Sequence, residues 1–226
     1  MSSNKSQIVS KERVADHGEV YTADREVKAM VDLVGTEAER IESTFLEPAC
    51  GDGNFLVEIL ERKLNVVFKK YRKSQTECEK YLVVAVGSIY GIDILPDNVD
   101  RCKKRLFQLF RKMYHQKCKS YYNTDFEFTI RYILDRNIVL GDALTMKDPD
   151  GEDYITFSQW SVTTGCNVKR RDFYFKEIIR VEENKSSPKT KQKTLLDEES
   201  EIVDMYIDQP IKEYPAVHYL RLMANE

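Results

Sequence analysis

Phe45-Leu46-Glu47-Pro48-Ala49-Cys50-Gly51-Asp52-Gly53-Asn54-Phe55-Leu56 decides the fold of this 226-residue chain. An apolar entry, a tight Gly-x-Gly turn and an amphipathic run predict strand, loop and helix in succession. Gly51 and Gly53 let the backbone turn sharply and approach a ligand with no Cβ in the way. The helix that follows aims its free N–H groups over the loop. Such a turn cradles a nucleotide-like ligand at the C-terminal edge of a parallel sheet.

Outward from this loop, strand and helix patterns alternate. Upstream, Val27, Met30, Val31 and Val34 recur at helical spacing. They predict one apolar face over residues 25–34, capped by Thr22 or Asp24 and stopped at Gly35. Residues 41–46 lead into the loop as a strand. Downstream, a helix is predicted over 54–72, with Phe55, Leu56, Ile59, Leu60, Leu64, Val67, Phe68 and Tyr71 on its apolar face. A second helix follows over 77–86. Residues 88–94 read as a buried strand that ends on Asp93. Pro96 and Asp97 open a third long helix. A shorter one covers 126–134, then Ile138-Val139-Leu140 form a strand whose tip is Gly141-Asp142-Ala143. The alternation predicts an α/β fold, a Rossmann-like sheet with helices on both faces, followed by a less regular C-terminal tail. In that tail, residues 154–157 read as a strand and 173–180 as a strand or a short helix. Residues 181–201 are rich in Lys, Glu and Ser and read as a polar linker.

Composition narrows the function classes. Hydrophobic residues make up 42%, charged residues 32%, and the net charge is −3. Global charge therefore does not mark a nucleic-acid binder, and any such contact must come from a local patch. Five cysteines without a Cys-x-x-Cys pair predict reduced thiols in a cytoplasmic protein. They lack the paired spacing of a zinc site, and no metal is expected. No stretch is long and apolar enough to span a membrane. The polar N-terminus shows no secretory core.

Three strand tips carry an acid: Glu47, Asp93 and Asp142. In an open parallel sheet, strand tips line the ligand crevice. A carboxylate at the second tip suits a ribose diol, and one at the third suits an exocyclic amine. Together behind the glycine loop they point to an adenosine group, although any one of them alone reads better as a helix cap or a water-facing acid. A dinucleotide is disfavoured, because Leu56 stands where its fingerprint needs a third glycine and Asp93 lies too far from the loop. A Walker-type lysine is absent.

These residues resemble the N-terminal part of an S-adenosylmethionine-dependent DNA methyltransferase. The similarity is to the adenine-N6 class with gamma motif order, found in restriction-modification systems. Gly18-Glu19-Val20-Tyr21-Thr22 resembles the element that precedes the cofactor loop, with Ala23 in place of the usual proline. Residues 47–56 resemble the first motif, Gly91-Ile92-Asp93-Ile94 the ribose-binding motif and Gly141-Asp142-Ala143-Leu144 the adenine-amine motif. The resemblance spans residues 17–145. It implies a class I methyltransferase domain over 17–180, after a flexible start at 1–16, with a C-terminal segment at 202–226 able to dock on it. It also implies S-adenosyl-L-methionine as cofactor. Tyr21, Thr22, Glu47 and Ala49 would hold the methionine end, and Gly51 and Gly53 would form the loop. Asp93 and Ile94 would meet the ribose side, and Asp142 and Ala143 the adenine.

The family's base-capturing Asn/Asp-Pro-Pro-Tyr occurs nowhere in the sequence. A target base must be flipped from the duplex and its amine held, so the chemistry requires such a group. Asp148-Pro149-Asp150-Gly151 is nearest in position and reads as a turn. Ser158-Gln159-Trp160-Ser161 offers polar groups beside an aromatic, yet a core tryptophan explains it better. Two functions follow from the resemblance. One is an enzyme that methylates adenine N6 in DNA. The other is a cofactor-binding subunit, incomplete alone, that needs a second polypeptide carrying the catalytic motif and a target-recognition domain. A methyltransferase of some other substrate is a weaker third. Lys169-Arg170-Arg171 is a candidate DNA contact. Lys103, Lys104 and Arg105 read as the wet side of a helix, and His17 lies beside the cofactor turn.

Overall fold

The computed structural model describes residues 22–177 and 210–225. Helix α1 (Asp24–Leu33) and a 3-10 turn (Gly35–Glu39) lead to strand β1 (Phe45–Glu47). Helices α2 (Asn54–Tyr71) and α3 (Gln75–Gly87) connect β1 to β2 (Ile89–Asp93). Helices α4 (Pro96–Lys117) and α5 (Thr124–Asn137) connect β2 to β3 (Ile138–Leu140). An antiparallel hairpin, β4 (Thr156–Val162) and β5 (Asn167–Tyr174), follows. Two short strands, β6 (Lys212–Glu213) and β7 (Val217–His218), pair with β5 before a closing 3-10 helix, Tyr219–Asn225.

The parallel sheet has the order β1-β2-β3, so each neighbour in space is a neighbour in sequence. Side chains alternate across a strand. On one face, Ile89 and Ile138 join a large core with the helices, and Phe45 and Leu140 pack against it. On the other face, Tyr90 and Ile92 meet Ile155, Phe157 and Phe175, with Leu46 and Val139 beside them. Where helices on both faces were expected, the described residues on the second face are Phe157 of the hairpin with Ile155 and Phe175 beside it, whereas Trp160 and Val168 of the hairpin join the helical core. Strand β2 is buried at all five positions, as a central strand must be.

Side-chain hydrogen bonds fix the hairpin to the N-terminal half of the sheet. The Tyr90 hydroxyl donates to the Ser158 carbonyl at 3.0 Å. The Trp160 indole donates to Asn137 at 3.1 Å, and Asn137 donates to the Gly87 carbonyl at 3.1 Å. Gly87 and Asn137 end the two helices that feed β2 and β3. Trp160 thus packs at the N-terminal edge of the sheet, opposite the strand tips. The predicted core tryptophan is found, within a strand longer than residues 154–157. Residues 167–174 form a full strand where only 173 onward was expected, and residues 175–177 turn helical.

Helix boundaries follow local chemistry. Gly53, at φ +87°, precedes α2, and Gly35, at φ +55°, follows α1. Ser74 and Asn123 accept from backbone N–H groups at the starts of α3 and α5. Helix α1 departs from expectation. Its cap residue is Ala23, whose N–H donates to Glu26 at 3.4 Å, so neither Thr22 nor Asp24 caps it. Only Val27 and Val31 are buried there, and Met30 and Val34 are exposed. Residues 210–225 dock on the helices. The Tyr219 hydroxyl donates to Glu79 at 2.6 Å, and Thr129 donates to the Tyr219 carbonyl at 2.8 Å. The predicted segments 1–16 and 181–201, and residues 202–209, lie outside the described residues.

Four cysteines are buried and Cys166 is half-buried; all five are free thiols. No helix among the described residues is long and apolar enough to cross a membrane.

Lys63 is a buried lysine that the apolar spacing of α2 hides. Its ammonium donates to the Ile41 carbonyl at 3.2 Å and to the Ser88 hydroxyl at 2.6 Å, and it also bonds the Ser43 carbonyl. Burial lowers its pKa from 10.5 to about 7. A base with a depressed folded pKa is most stable in the fold when neutral. Its contribution is fully present above 10.5 and is lost as pH falls through 7. Stability should therefore rise between pH 7 and 9.5, by at most about 1.4 kcal/mol per pH unit from this group. The Cys50 and Cys78 thiols, held up by hydrogen bonding and burial, oppose this rise in the upper part of the window, and Tyr90, held above the usual tyrosine range by burial, opposes it at higher pH. Melting curves across this window should rise for the native chain and flatten for Lys63→Met.

Candidate functional site

The three acidic tips stand side by side because β1, β2 and β3 are parallel neighbours. The glycine loop closes over the middle one. Gly51 and Gly53 are both left-handed, at φ +52° and +87°. The Gly51 N–H donates to Asp93 Oδ2 at 2.8 Å. The Cys50 N–H donates to the Ile92 carbonyl at 2.8 Å, and the Gly53 N–H to the Cys50 carbonyl at 2.8 Å. A Cβ on Gly53 would lie 2.6 Å from Cys102 Sγ, and one on Gly91 would lie 2.9 Å from Leu56. The loop therefore rests directly on α4 and on β2.

Asp93 is the hub. Besides Gly51, it accepts from the Leu95 N–H at 2.9 Å and from Asn98 at 3.2 Å. It is 8% exposed. A carboxylate has about four acceptor positions. Three are used within the chain, leaving one open. The Asp93 carbonyl accepts from Gly141 at 3.0 Å, which ties the third tip to the second.

Asp142 turns its carboxylate onto the Leu144 N–H at 2.8 Å, an Asx turn. Its backbone pairs with Lys147. Gly141 has no room for a side chain, since a Cβ would meet Ile155 at 2.6 Å. Ile94 and Leu144 stand beside the acids and are 59% and 92% exposed. Two aliphatic side chains left in solvent next to two carboxylates suit a flat ring with polar edges. Burial raises the Glu47 pKa above the ordinary carboxylate value, against the opposing effect of the Ala49 N–H. Ala49 is exposed in the loop, and Ala143 is half-buried between Asp142 and Leu144.

Thr22 reaches the loop from outside. Its carbonyl accepts from Asn54 at 3.3 Å, at the first residue of α2. Tyr21 and His17 lie outside the described residues. Arg105, expected on the wet side of its helix, instead clamps the loop. It pairs with Asp52 at 2.6 Å and donates to the Asp52 carbonyl at 2.8 Å. Nothing in its local sequence pattern distinguishes it from Lys103 and Lys104. Cys50 is no nucleophile: hydrogen bonding with Cys102 and burial push its thiol pKa up.

The remaining candidates lie elsewhere. Asp148-Pro149-Asp150-Gly151 forms the turn that its residues predict, with the Gly151 N–H on the Asp148 carbonyl at 3.1 Å. Arg170 is turned inward. It binds Asp172 at 2.7 and 2.8 Å and donates to Tyr132 at 2.7 Å. Its expected contact with a phosphate is corrected, because its guanidinium is buried in this network. Lys169 pairs with Glu213 at 2.8 Å, and Arg171 donates to Gln159 at 2.8 Å. Among the described residues, no group of three His, Cys, Asp or Glu is placed to hold a metal ion.

No family model, no curated protein and no solved structure matches the chain. The fold and the site are those of an α/β protein with a glycine loop and three carboxylates at the tips of a three-stranded parallel sheet.

Proposed function

We propose that the strand-tip site binds S-adenosyl-L-methionine and that the chain serves adenine-N6 methylation of DNA. The observation that carries this reading is the Gly51–Asp93 junction. There a left-handed glycine turn, a helix start and a nearly enclosed carboxylate converge. The residues fit the cofactor's parts. Asp93 offers one acceptor to a ribose hydroxyl, and Ile94 and Leu144 flank a ring. Glu47 and the Ala49 backbone lie at the first tip. S-adenosylmethionine would supply an electrophilic methyl group. The chain's own part is to orient that methyl toward its acceptor, a proximity effect.

One observation favours the incomplete-subunit reading. Ligand crevices in open α/β sheets form where the strand order reverses. Here the order β1-β2-β3 does not reverse, and β1 is an edge among the described residues. The base-capturing tetrapeptide is also absent from the sequence. A second polypeptide carrying that motif would complete the crevice beside β1.

Calorimetry with S-adenosylmethionine tests the cofactor site directly. Transfer of labelled methyl to unmodified DNA, with and without such a second polypeptide, separates the two readings. An active chain transfers alone, whereas a subunit binds cofactor but transfers only in the mixture. Absence of cofactor binding by the native chain would overturn both.

A further inference from the structure

Helices α4 and α5 enclose a second concave surface on the helical side of the sheet, a cleft of about 470 Å³. Phe107, 5% exposed, belongs to its lining. The Arg131 guanidinium lies over that ring, 3.6 Å from its centroid. Lys103, Lys104 and Arg111 line the α4 side. Four cations thus line the cleft with two carboxylates, Asp100 and Asp135, and a third, Glu127, pairs with Arg111 from beside it, so the cations outnumber the acids in a chain of net charge −3. From the sequence this lysine pair was simply the wet side of a helix.

The cations are held in place. Lys103 pairs with Asp135 at 3.3 Å, and Arg111 with Glu127 at 3.0 Å. Each of these bonds engages part of the cation and steadies it, leaving further N–H groups for a ligand. Stacking on Phe107 does the same for Arg131 and leaves the edge of its guanidinium open. Lys104 is exposed. From Lys103 to Arg111 the helix rises roughly 12 Å. That is the length of three to four steps of a nucleic-acid strand, at about 3.4 Å each.

We propose that the α4–α5 cleft binds the phosphate groups of a nucleic-acid strand, outside the cofactor crevice. A row of cations along a groove fits charges spaced along a polymer. A single small anion would need a convergent set, and a flat lipid surface would not enter a concave cleft. The contacts are to phosphate, so binding is salt-dependent and indifferent to sequence. The inference does not require methyl transfer and holds without S-adenosylmethionine.

The test is fluorescence anisotropy of a labelled 20-nucleotide DNA, single-stranded and duplex, with the full chain over a salt series. The double variant Lys104→Glu, Arg131→Glu should bind at least roughly tenfold more weakly, and its salt slope should fall by about 2. Lys104→Glu alone, at an exposed position, should give an intermediate loss with an unchanged melting curve. Lys169→Glu with Arg171→Glu should bind like the native chain. The proposal is overturned if the native chain fails to bind DNA, or if the cleft variants bind normally. It is equally overturned if the hairpin variant alone loses binding. Binding of pyrophosphate or of phosphatidylserine vesicles in place of DNA would reassign the cleft and also sink it.

Discussion

Asp93→Ala is expected to remove S-adenosylmethionine binding by the chain, measured by calorimetry. Two effects add. The ligand loses its charged acceptor, and a hydrogen bond to a charged group contributes about 1.5–3 kcal/mol. That alone is about ten- to a hundredfold in affinity. The second effect acts through the loop. The N–H groups of Gly51 and Leu95 lose the acceptor that fixes them. Both donors are half-buried and water replaces the acceptor only in part, so the melting temperature should fall as well, by less than the about 1–3 kcal/mol of a fully buried unpaired donor for each. Asp93→Asn discriminates the two. It keeps one oxygen for Leu95 and Asn98 but turns an amide donor toward Gly51, so binding should fall while most of the stability returns. A native affinity in Asp93→Ala would remove the strand-tip site from consideration.

Glu79→Ala is expected to be the most destabilising single change. The carboxylate is fully buried and accepts from three donors. The Tyr114 hydroxyl lies at 2.5 Å, the Tyr219 hydroxyl at 2.6 Å and the Gln75 amide at 3.0 Å. These donors come from α3, α4 and the closing 3-10 helix, so one side chain joins three segments. Truncation opens a cavity and leaves two phenols without their acceptor. The expected loss is about 2–6 kcal/mol in denaturant unfolding, from about 1–3 kcal/mol for each phenol left unpaired. The release of residues 210–225 is a separate readout. Residues 210–225 should resist limited proteolysis in the native chain and be digested in Glu79→Ala. Tyr219→Phe keeps the ring in the aromatic cluster with Phe126 and should show a milder version. An unaltered melting curve for Glu79→Ala would show that these bonds contribute nothing net.

The helical half of the molecule was legible because its residues carry strong local signals. The spacing of Leu56, Ile59, Leu60, Leu64 and Val67 predicts α2 within a residue of its observed end. Gly53 and Pro96 mark the starts of α2 and α4. The run Ile138-Val139-Leu140 is observed as β3 with the predicted bounds. The glycine loop and its acids were readable for the same reason, since each lies at a sharp change of pattern.

The hairpin was not legible. Strands announce themselves by alternating apolar and polar residues, but the buried side of this hairpin includes Ser158, Arg170 and Asp172. A satisfied polar network on the inner face erases the alternation, and Lys169-Arg170-Arg171 then reads as surface charge. Lys63 and Glu79 escaped notice in the same way, each being an ionisable group on a buried helical face. Met30 and Val34 failed in the opposite sense. Their spacing marks an apolar face, but α1 buries only the half carrying Val27 and Val31. The clamp from Arg105 to Asp52 spans 53 residues of sequence, beyond the reach of any local pattern.

The placement of the cysteines makes the chain its own unfolding reporter. Four thiols are sealed in the core and Cys166 alone is half-open. A maleimide should therefore add one tag quickly to the native protein and four more only as the fold opens. Because Cys50 and Cys102 underlie the loop while Cys78 and Cys118 meet between α3 and the end of α4, at 3.9 Å, the order in which tags arrive distinguishes two regions. Mass spectrometry of pulse-labelled protein would then show whether ligand binding tightens the loop alone or the whole helical layer, with no engineered label.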